Sequence, residues 1–203
     1  MKLYVVRHGE SVLNRNKCFG GWADTPLTDK GIEDARKAKR ELDALHFDRV
    51  YCSDLLRAVQ TAQVVLPDRQ MEMRPSLREL SVGEFQARPV AECTRLYGDI
   101  CVQARKLRDY TAVGGESHRM QYERTAVFMQ EMEQLQDCEN AAVFCHEGTI
   151  KCMLSYVLGM MVGPNAIIHD NGAFSIFRFS DRWQLDAWNM HRLTEEPAHV
   201  CIE

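Results

Sequence analysis

The stretch Leu3-Tyr4-Val5-Val6-Arg7-His8-Gly9-Glu10-Ser11 decides the fold. Leu3 to Val6 form an apolar run of residues that favour strands, and it gives way abruptly to an arginine, a histidine and a glycine. A run that short, with no polar residue alternating through it, is a strand covered on both faces. Such strands belong to parallel sheets flanked by helices. The charged residues then fall at the strand's carboxyl end, which is where open α/β sheets bind their ligands.

The same grammar repeats along the chain. After turn residues Gly20, Gly21, Asp24 and Pro26, Thr28 is placed to cap a helix whose apolar positions Ile32, Ala35, Ala38, Leu42 and Leu45 step by three or four. Arg49 to Ser53 is a second short strand, and Leu55 to Leu66, closed by Pro67, a second helix with Arg57 in its first turn. Leu77 to Gly115 mixes short apolar groups with Gly83, Pro89, Gly98 and Gly114-Gly115, which predicts loops and broken helices, a lid over about residues 80–117. A helix from His118, carrying Tyr122, Ala126, Met129, Met132 and Leu135, leads to the strand Ala141 to Cys145, which ends at His146. Helix Ile150 to Leu158 follows, and Ala173 to Phe179 and Trp183 to Trp188 flank Ser180-Asp181 as a β-hairpin. The expectation is one domain over residues 1–203, a three-layer α/β/α fold. Its mostly parallel doubly wound sheet carries an antiparallel edge strand and a partly helical lid.

Composition narrows the partners. The chain has 203 residues, 45% hydrophobic and 27% charged, as expected of a soluble globular protein. Its 25 Lys and Arg against 29 Asp and Glu give a net charge of -4, so no general basic surface is offered to nucleic acid or an anionic membrane. No apolar run approaches the roughly 20 residues that span a bilayer, and the first residues carry no signal-peptide pattern, so the expected location is cytoplasmic. The eight cysteines include no C-x-x-C pair. They are read as reduced thiols, with Cys52, Cys145 and Cys152 packing as small hydrophobes. No feature assigns an oligomeric state.

Strand ends bring Arg7-His8, Ser53 with Arg57, and His146 to one place. Two guanidiniums and two imidazoles make a seat for a doubly charged anion, and guanidinium forks match phosphate oxygens. A neutral imidazole there can attack phosphorus and carry the phosphoryl group until water removes it. The leaving alkoxide needs a proton, so a carboxyl held protonated by burial should lie nearby. His169, His191 and His199 show no paired metal-ligand spacing and are read as surface residues, so no metal and no cofactor are expected. Arg105-Lys106-Leu107-Arg108 is read chiefly as a solvated helix face, the other reading being a lid that meets an acidic substrate. Met120, Met129, Met132, Met160 and Met161 are read as core filling.

The motifs occur in a fixed order. Arg7-His8-Gly9-Glu10-Ser11 with Asn14 comes first, then Gly21-Trp22, Pro26-Leu27-Thr28-Asp29-Lys30-Gly31, and Ser53-Asp54-Leu55-Leu56-Arg57-Ala58. Leu77-Arg78-Glu79-Leu80 with Gly83 and His146-Glu147-Gly148 complete the series. Together they resemble the histidine phosphatase superfamily, its phosphoglycerate mutase-like branch, over nearly the whole chain. The resemblance implies that His8 is the phosphorylated nucleophile. It also implies that Arg7, Arg57 and His146 form the phosphate pocket and that Glu79, with Glu10 and Glu84 as neighbours of the same chemistry, donates the proton. Asn14, Gly20 and Gly21 would contact substrate, and Gly148 would offer its backbone N–H to the phosphate.

This chain also departs from the family's pattern. Cys145 and Glu147 flank the second histidine; a carboxylate turned into an anion pocket would repel phosphate, so Glu147 is expected to point away. Gln86-Ala87 replaces a Glu-Gly pair, Val82 stands where mutases carry a tyrosine, and no tandem arginine pair lies between residues 90 and 125. The span from Glu79 to His146 is short for a mutase. The expectation is therefore a metal-independent phosphatase acting on a small phosphorylated metabolite through a phosphohistidine. Within the family the chain most resembles the bacterial α-ribazole phosphatases, which makes α-ribazole phosphate the candidate substrate. Phosphoglycerate mutase-type transfer and a non-catalytic phospho-ligand-binding module are the alternatives.

Overall fold

A computed structural model describes residues 1–163 and 165–193. Six strands form one sheet: β1 Lys2–Arg7, β2 Arg49–Cys52, β3 Glu72–Met73, β4 Asn140–Cys145, β5 Phe174–Phe179 and β6 Trp183–Met190. Their order is β3-β2-β4-β1-β5-β6. β1, β2, β3 and β4 run parallel, while β5 lies antiparallel to β1, and β6 to β5. The mostly parallel sheet with an antiparallel edge is as the sequence implies. The two-residue β3 was not expected, because Glu72 and Met73 are too few and too exposed to leave an apolar run.

Among the described residues seven α-helices accompany the sheet: α1 Val12–Arg15, α2 Asp29–Leu42, α3 Leu56–Val65, α4 Val90–Tyr97, α5 Asp99–Leu107, α6 His118–Glu133 and α7 Glu147–Leu158. Thr28 caps α2, its side chain accepting from the Gly31 N–H. Alternate residues of β1 face opposite layers. Leu3 and Val5 pack with Phe128, Met129 and Met132 of α6 and with Ile150 and Met153 of α7. Tyr4 and Val6 pack with Ala35, Ala38 and Leu42 of α2 and Ala58, Ala62 and Val65 of α3. That is why the strand reads as a continuous apolar run.

A third cluster lies apart from the sheet. Phe19, Leu80, Val82, Phe85, Cys93, Cys101, Ala104, Tyr110 and Val113 pack together beneath α4 and α5, giving the broken-helix segment its own small core. The methionine reading holds only in part. Met129 and Met132 are buried, but Met120, Met160 and Met161 are exposed, the first facing out of α6 and the others lying past the end of α7. All seven described cysteines are free thiols. Cys201 and His199 lie outside the described residues.

Candidate active site

β1 and β4 are hydrogen-bonded neighbours, so their ends deliver Arg7-His8 and His146 side by side, the two imidazole centroids 5.1 Å apart. The His8 N–H donates to the Cys145 carbonyl at 3.1 Å, and the His8 carbonyl accepts from Asn171 Nδ2 at 2.9 Å. Gly9 next to it touches the start of α2: a Cβ on Gly9 would overlap the Gly31 carbonyl, and one on Gly31 would overlap that of Glu10. These two glycines allow the loop after β1 to lie flat on the helix.

The His8 tautomer is fixed by its neighbours. Nδ1 lies 2.7 Å from the Gly9 carbonyl, which can only accept, so Nδ1 carries the hydrogen. Nε2 therefore holds the lone pair, and Arg57 Nε donates to it at 3.2 Å. Burial, then the Arg57 and Arg7 charges, hold the His8 pKa well below the usual histidine range, so the ring is neutral. Arg57 is fixed by two further bonds, Nη1 to the Ala23 carbonyl at 3.1 Å and Nη2 to that of Gly21 at 2.9 Å. Burial lowers its pKa to about 10, so it is charged at neutral pH. His146 is fully buried, with Nε2 2.8 Å from Ser53 Oγ and Nδ1 without a partner among the described residues. Burial and the Arg57 charge keep it neutral too.

A cavity of about 190 Å³ opens over these residues. Arg7, His8, Asn14, Gly20, Gly21, Arg57 and Glu79 line it, together with Phe19, Tyr110, Arg108 and Glu147. His146 and Gly148 do not line it. His146 lies against His8, and the Gly148 N–H points at Glu79 Oε2 at 3.3 Å. A Cβ at position 148 would overlap Glu79 Oε1, so the glycine makes room for the carboxyl. Asn14 completes a capping box with Ser11, accepting from Ser11 N at 3.1 Å.

Glu79 is more tightly held than its sequence context suggests, and its charge is opposite to expectation. Oε1 accepts from Leu80 N at 2.8 Å, Gln121 Nε2 at 3.1 Å and Arg108 Nη2 at 3.2 Å. Its backbone carbonyl accepts from Arg124 Nη2 at 2.9 Å and from Trp22 Nε1 at 2.7 Å. Burial pushes the carboxyl's pKa up, but Arg108, the Leu80 N–H, Arg57 and Gln121 outweigh it and bring it to about 2. The carboxyl expected to be protonated is thus a carboxylate, because the lid supplies an arginine.

That arginine belongs to the cluster read as a solvated helix face. Arg108 follows α5 in the left-handed region, φ 53°, a conformation that usually falls to glycine. From there its guanidinium reaches into the cavity. Gln121 and Arg124, which hold Glu79, were also missed; a polar residue on the inner face of a helix is a weak signal by itself. Two further expectations are overturned. Glu147 lines the cavity instead of turning away, because Arg7 Nη1 at 3.2 Å and Lys151 Nζ at 2.6 Å hold it there. His169 is fully buried, with Nε2 2.9 Å from Ser175 Oγ, and its carbonyl accepts from Arg7 Nη1. His191 is at the surface as expected.

Residues 3–191 match the family model of the histidine phosphatase superfamily, branch 1. The chain belongs to the histidine phosphatase superfamily. It is a phosphoric monoester hydrolase of that superfamily. The chain is 31% identical over 166 residues to the adenosylcobalamin/alpha-ribazole phosphatase of Escherichia coli (strain K12), covering 79% of this chain and 80% of that protein. It is 30% identical over 209 residues to a 2,3-bisphosphoglycerate-dependent phosphoglycerate mutase of Cytophaga hutchinsonii, covering 98% and 97% of the two chains. The crystal structure of the alpha-ribazole phosphatase from Shigella flexneri superposes with a TM-score of 0.86 at 28% identity, over 97% of this chain and all of that one. A relative named as a mutase is therefore almost the same length as this chain.

Proposed function

We propose that the chain hydrolyses a small phosphomonoester, with no metal required, through a phosphoryl group carried on His8 Nε2. The observation that carries this reading is the pair of contacts that fix the imidazole: the Gly9 carbonyl takes the Nδ1 hydrogen and leaves Nε2 as a lone pair at the cavity. Arg57, bonded to that same nitrogen, is placed to turn its fork onto the phosphoryl oxygens. Arg7 adds a second guanidinium, and the unpartnered Nδ1 of His146 is a candidate partner for a bound oxygen.

In the first step the Nε2 lone pair bonds to phosphorus as the ester P–O bond breaks, and the leaving oxygen takes a proton from Glu79. In the second, water attacks the phosphohistidine, the N–P bond breaks, and Glu79 takes the water's proton. Since Arg108 holds Glu79 as a carboxylate, its proton has to arrive with the substrate: a phosphomonoester's second pKa is about 6, and the monoanion can pass its proton to Glu79 only as it draws Arg108 away from the carboxyl. α-Ribazole phosphate is the first substrate to try, given the E. coli relative's name. Rapid-quench digestion after mixing with p-nitrophenyl [32P]phosphate should find label on the peptide holding His8 and none in His8→Ala. Stable label elsewhere sinks the assignment. Isomerised 3-phosphoglycerate in place of free phosphate would favour the mutase, and anion binding without turnover the non-catalytic module.

A further inference from the structure

The second carboxylate in the pocket has no place in these steps, yet it sits on one of the phosphate-binding groups. Glu147 is the first residue of α7, and its side chain is 25% exposed to the cavity. Its two oxygens face different cations. Oε2 is 3.2 Å from Arg7 Nη1, and Oε1 is 2.6 Å from Lys151 Nζ, one helical turn further on and only 6% exposed. Arg7 is anchored independently of Glu147: Nη1 also donates to the His169 carbonyl, while its buried Nε has no partner among the described residues.

We propose that Glu147 is an internal counter-ion of the binding site, a tethered carboxylate that pairs with Arg7, yields it to an arriving phosphoryl group, and reclaims it as phosphate leaves. The inference rests on the reading of the cavity as a phosphate seat. A dianion bonded to Arg7 comes within a few ångströms of a carboxylate held 3.2 Å from the same guanidinium, and two like charges sharing one cation in a low-dielectric pocket repel. Something must move, and Glu147 has somewhere to go. The bond from Oε1 to Lys151 keeps its charge matched when Oε2 lets go, so the exchange leaves no bare buried carboxylate. The exchange runs in reverse when the product departs. Without Glu147, an unneutralised Arg7 would hold inorganic phosphate more tightly.

This role has the opposite sign to a purely architectural one. If Glu147 only keeps Arg7 in position, removing its charge weakens anion binding. If it competes for Arg7, removing its charge strengthens binding. In Glu147→Gln the competitive inhibition constants of inorganic phosphate and of vanadate should each fall by about 5-fold or more, the usual lower range for two sites coupled through shared charges. The rise in Tm produced by saturating phosphate should grow in parallel, which also shows that the variant is folded. Inhibition constants that are unchanged or higher overturn the proposal. Should Glu147→Gln fail to fold, Glu147→Asp, which keeps a charge near Lys151 but falls short of Arg7, carries the same expectation. If wild type and variant both ignore phosphate and vanadate, the phosphate seat itself is refuted.

Discussion

Replacing Arg108 with methionine tests whether the lid sets the charge of the proposed acid. The substitution keeps the length and removes the charge 3.2 Å from Glu79 Oε1. The carboxyl's pKa is brought from 4.5 to about 2, and Arg108 is the largest of the influences that lower it. That shift of about 2.5 units corresponds to about 3 kcal/mol of preference for the ionised form in the folded state. An opposite charge at this range is worth about 1 to 3 units, so Arg108→Met should return the carboxyl to between about 3 and 5. The sign for stability follows. A carboxyl with a depressed folded-state pKa stabilises the fold fully above pH 4.5, and that stability is lost as pH falls towards about 2. Wild type should therefore be the more stable protein at pH 7, and the gap to Arg108→Met should close by about 1 kcal/mol or more between pH 5 and pH 2. Denaturant unfolding across that range measures the gap, and a 13C titration of the Glu79 carboxyl measures its cause. A stability gap constant from pH 7 to pH 2, or a Glu79 titration unmoved by the substitution, refutes the reasoning.

Further outcomes follow from the same geometry. Arg57→Lys replaces a fork that bonds His8 Nε2, Ala23 and Gly21 with a point charge, and should lose both rate and vanadate inhibition; unchanged vanadate inhibition removes Arg57 from the seat. Glu79→Gln should cut kcat/KM for alkyl phosphates about 10²-fold or more while sparing p-nitrophenyl phosphate, whose leaving group needs little help; equal losses remove Glu79 from the acid role, and neither Glu10 nor Glu84, the sequence's other candidates, lines the cavity to take it over. For alkyl phosphates kcat/KM should fall as pH rises above about 6, where the proton-bearing monoanion disappears. It should show no acid limb near 6.5, because His8 is held neutral well below that value; an acid limb there would mean that the nucleophile titrates normally.

The sequence carries the sheet plainly, because each buried parallel strand is an apolar run with a charged or polar residue at its end: Arg7 after Val6, Ser53 after Cys52, His146 after Cys145. One alternation rule places those residues at a common edge. What it cannot carry is the direction of a side chain reaching from a second segment. Glu79 was legible as a carboxyl in the right place, but its charge depends on Arg108, 29 residues away on a lid whose helices are short and broken. Arg108 looks like the end of a solvated basic run until the left-handed backbone at φ 53° turns it inward. Glu147 failed for a related reason. Repulsion from phosphate predicts that it points away, but Arg7 and Lys151, on either side of it, hold it at the cavity. His169 was read as a surface residue because no metal-ligand spacing surrounds it, whereas the fold buries it behind Arg7 against Ser175.

The two misjudged carboxylates share one logic. At the cavity Arg108 is neutralised by Glu79 and Arg7 by Glu147, while Arg57 spends its donors on carbonyls and on the imidazole. A buried guanidinium without a counter-ion is costly, so an anion pocket that must also stand empty between turnovers needs anions of its own. A phosphomonoester that enters as a monoanion and surrenders its proton supplies two negative charges at once, enough to stand in for both carboxylates. On the proposed mechanism, Arg108 drawn to the ligand would release Glu79 from the influence that keeps its pKa near 2 and let it hold the proton it donates. Glu147 falls back on Lys151. Binding and the arming of the acid are then one electrostatic event, and a ligand with too little charge, such as a sulfate monoester, should fill the cavity without releasing Glu79 from Arg108.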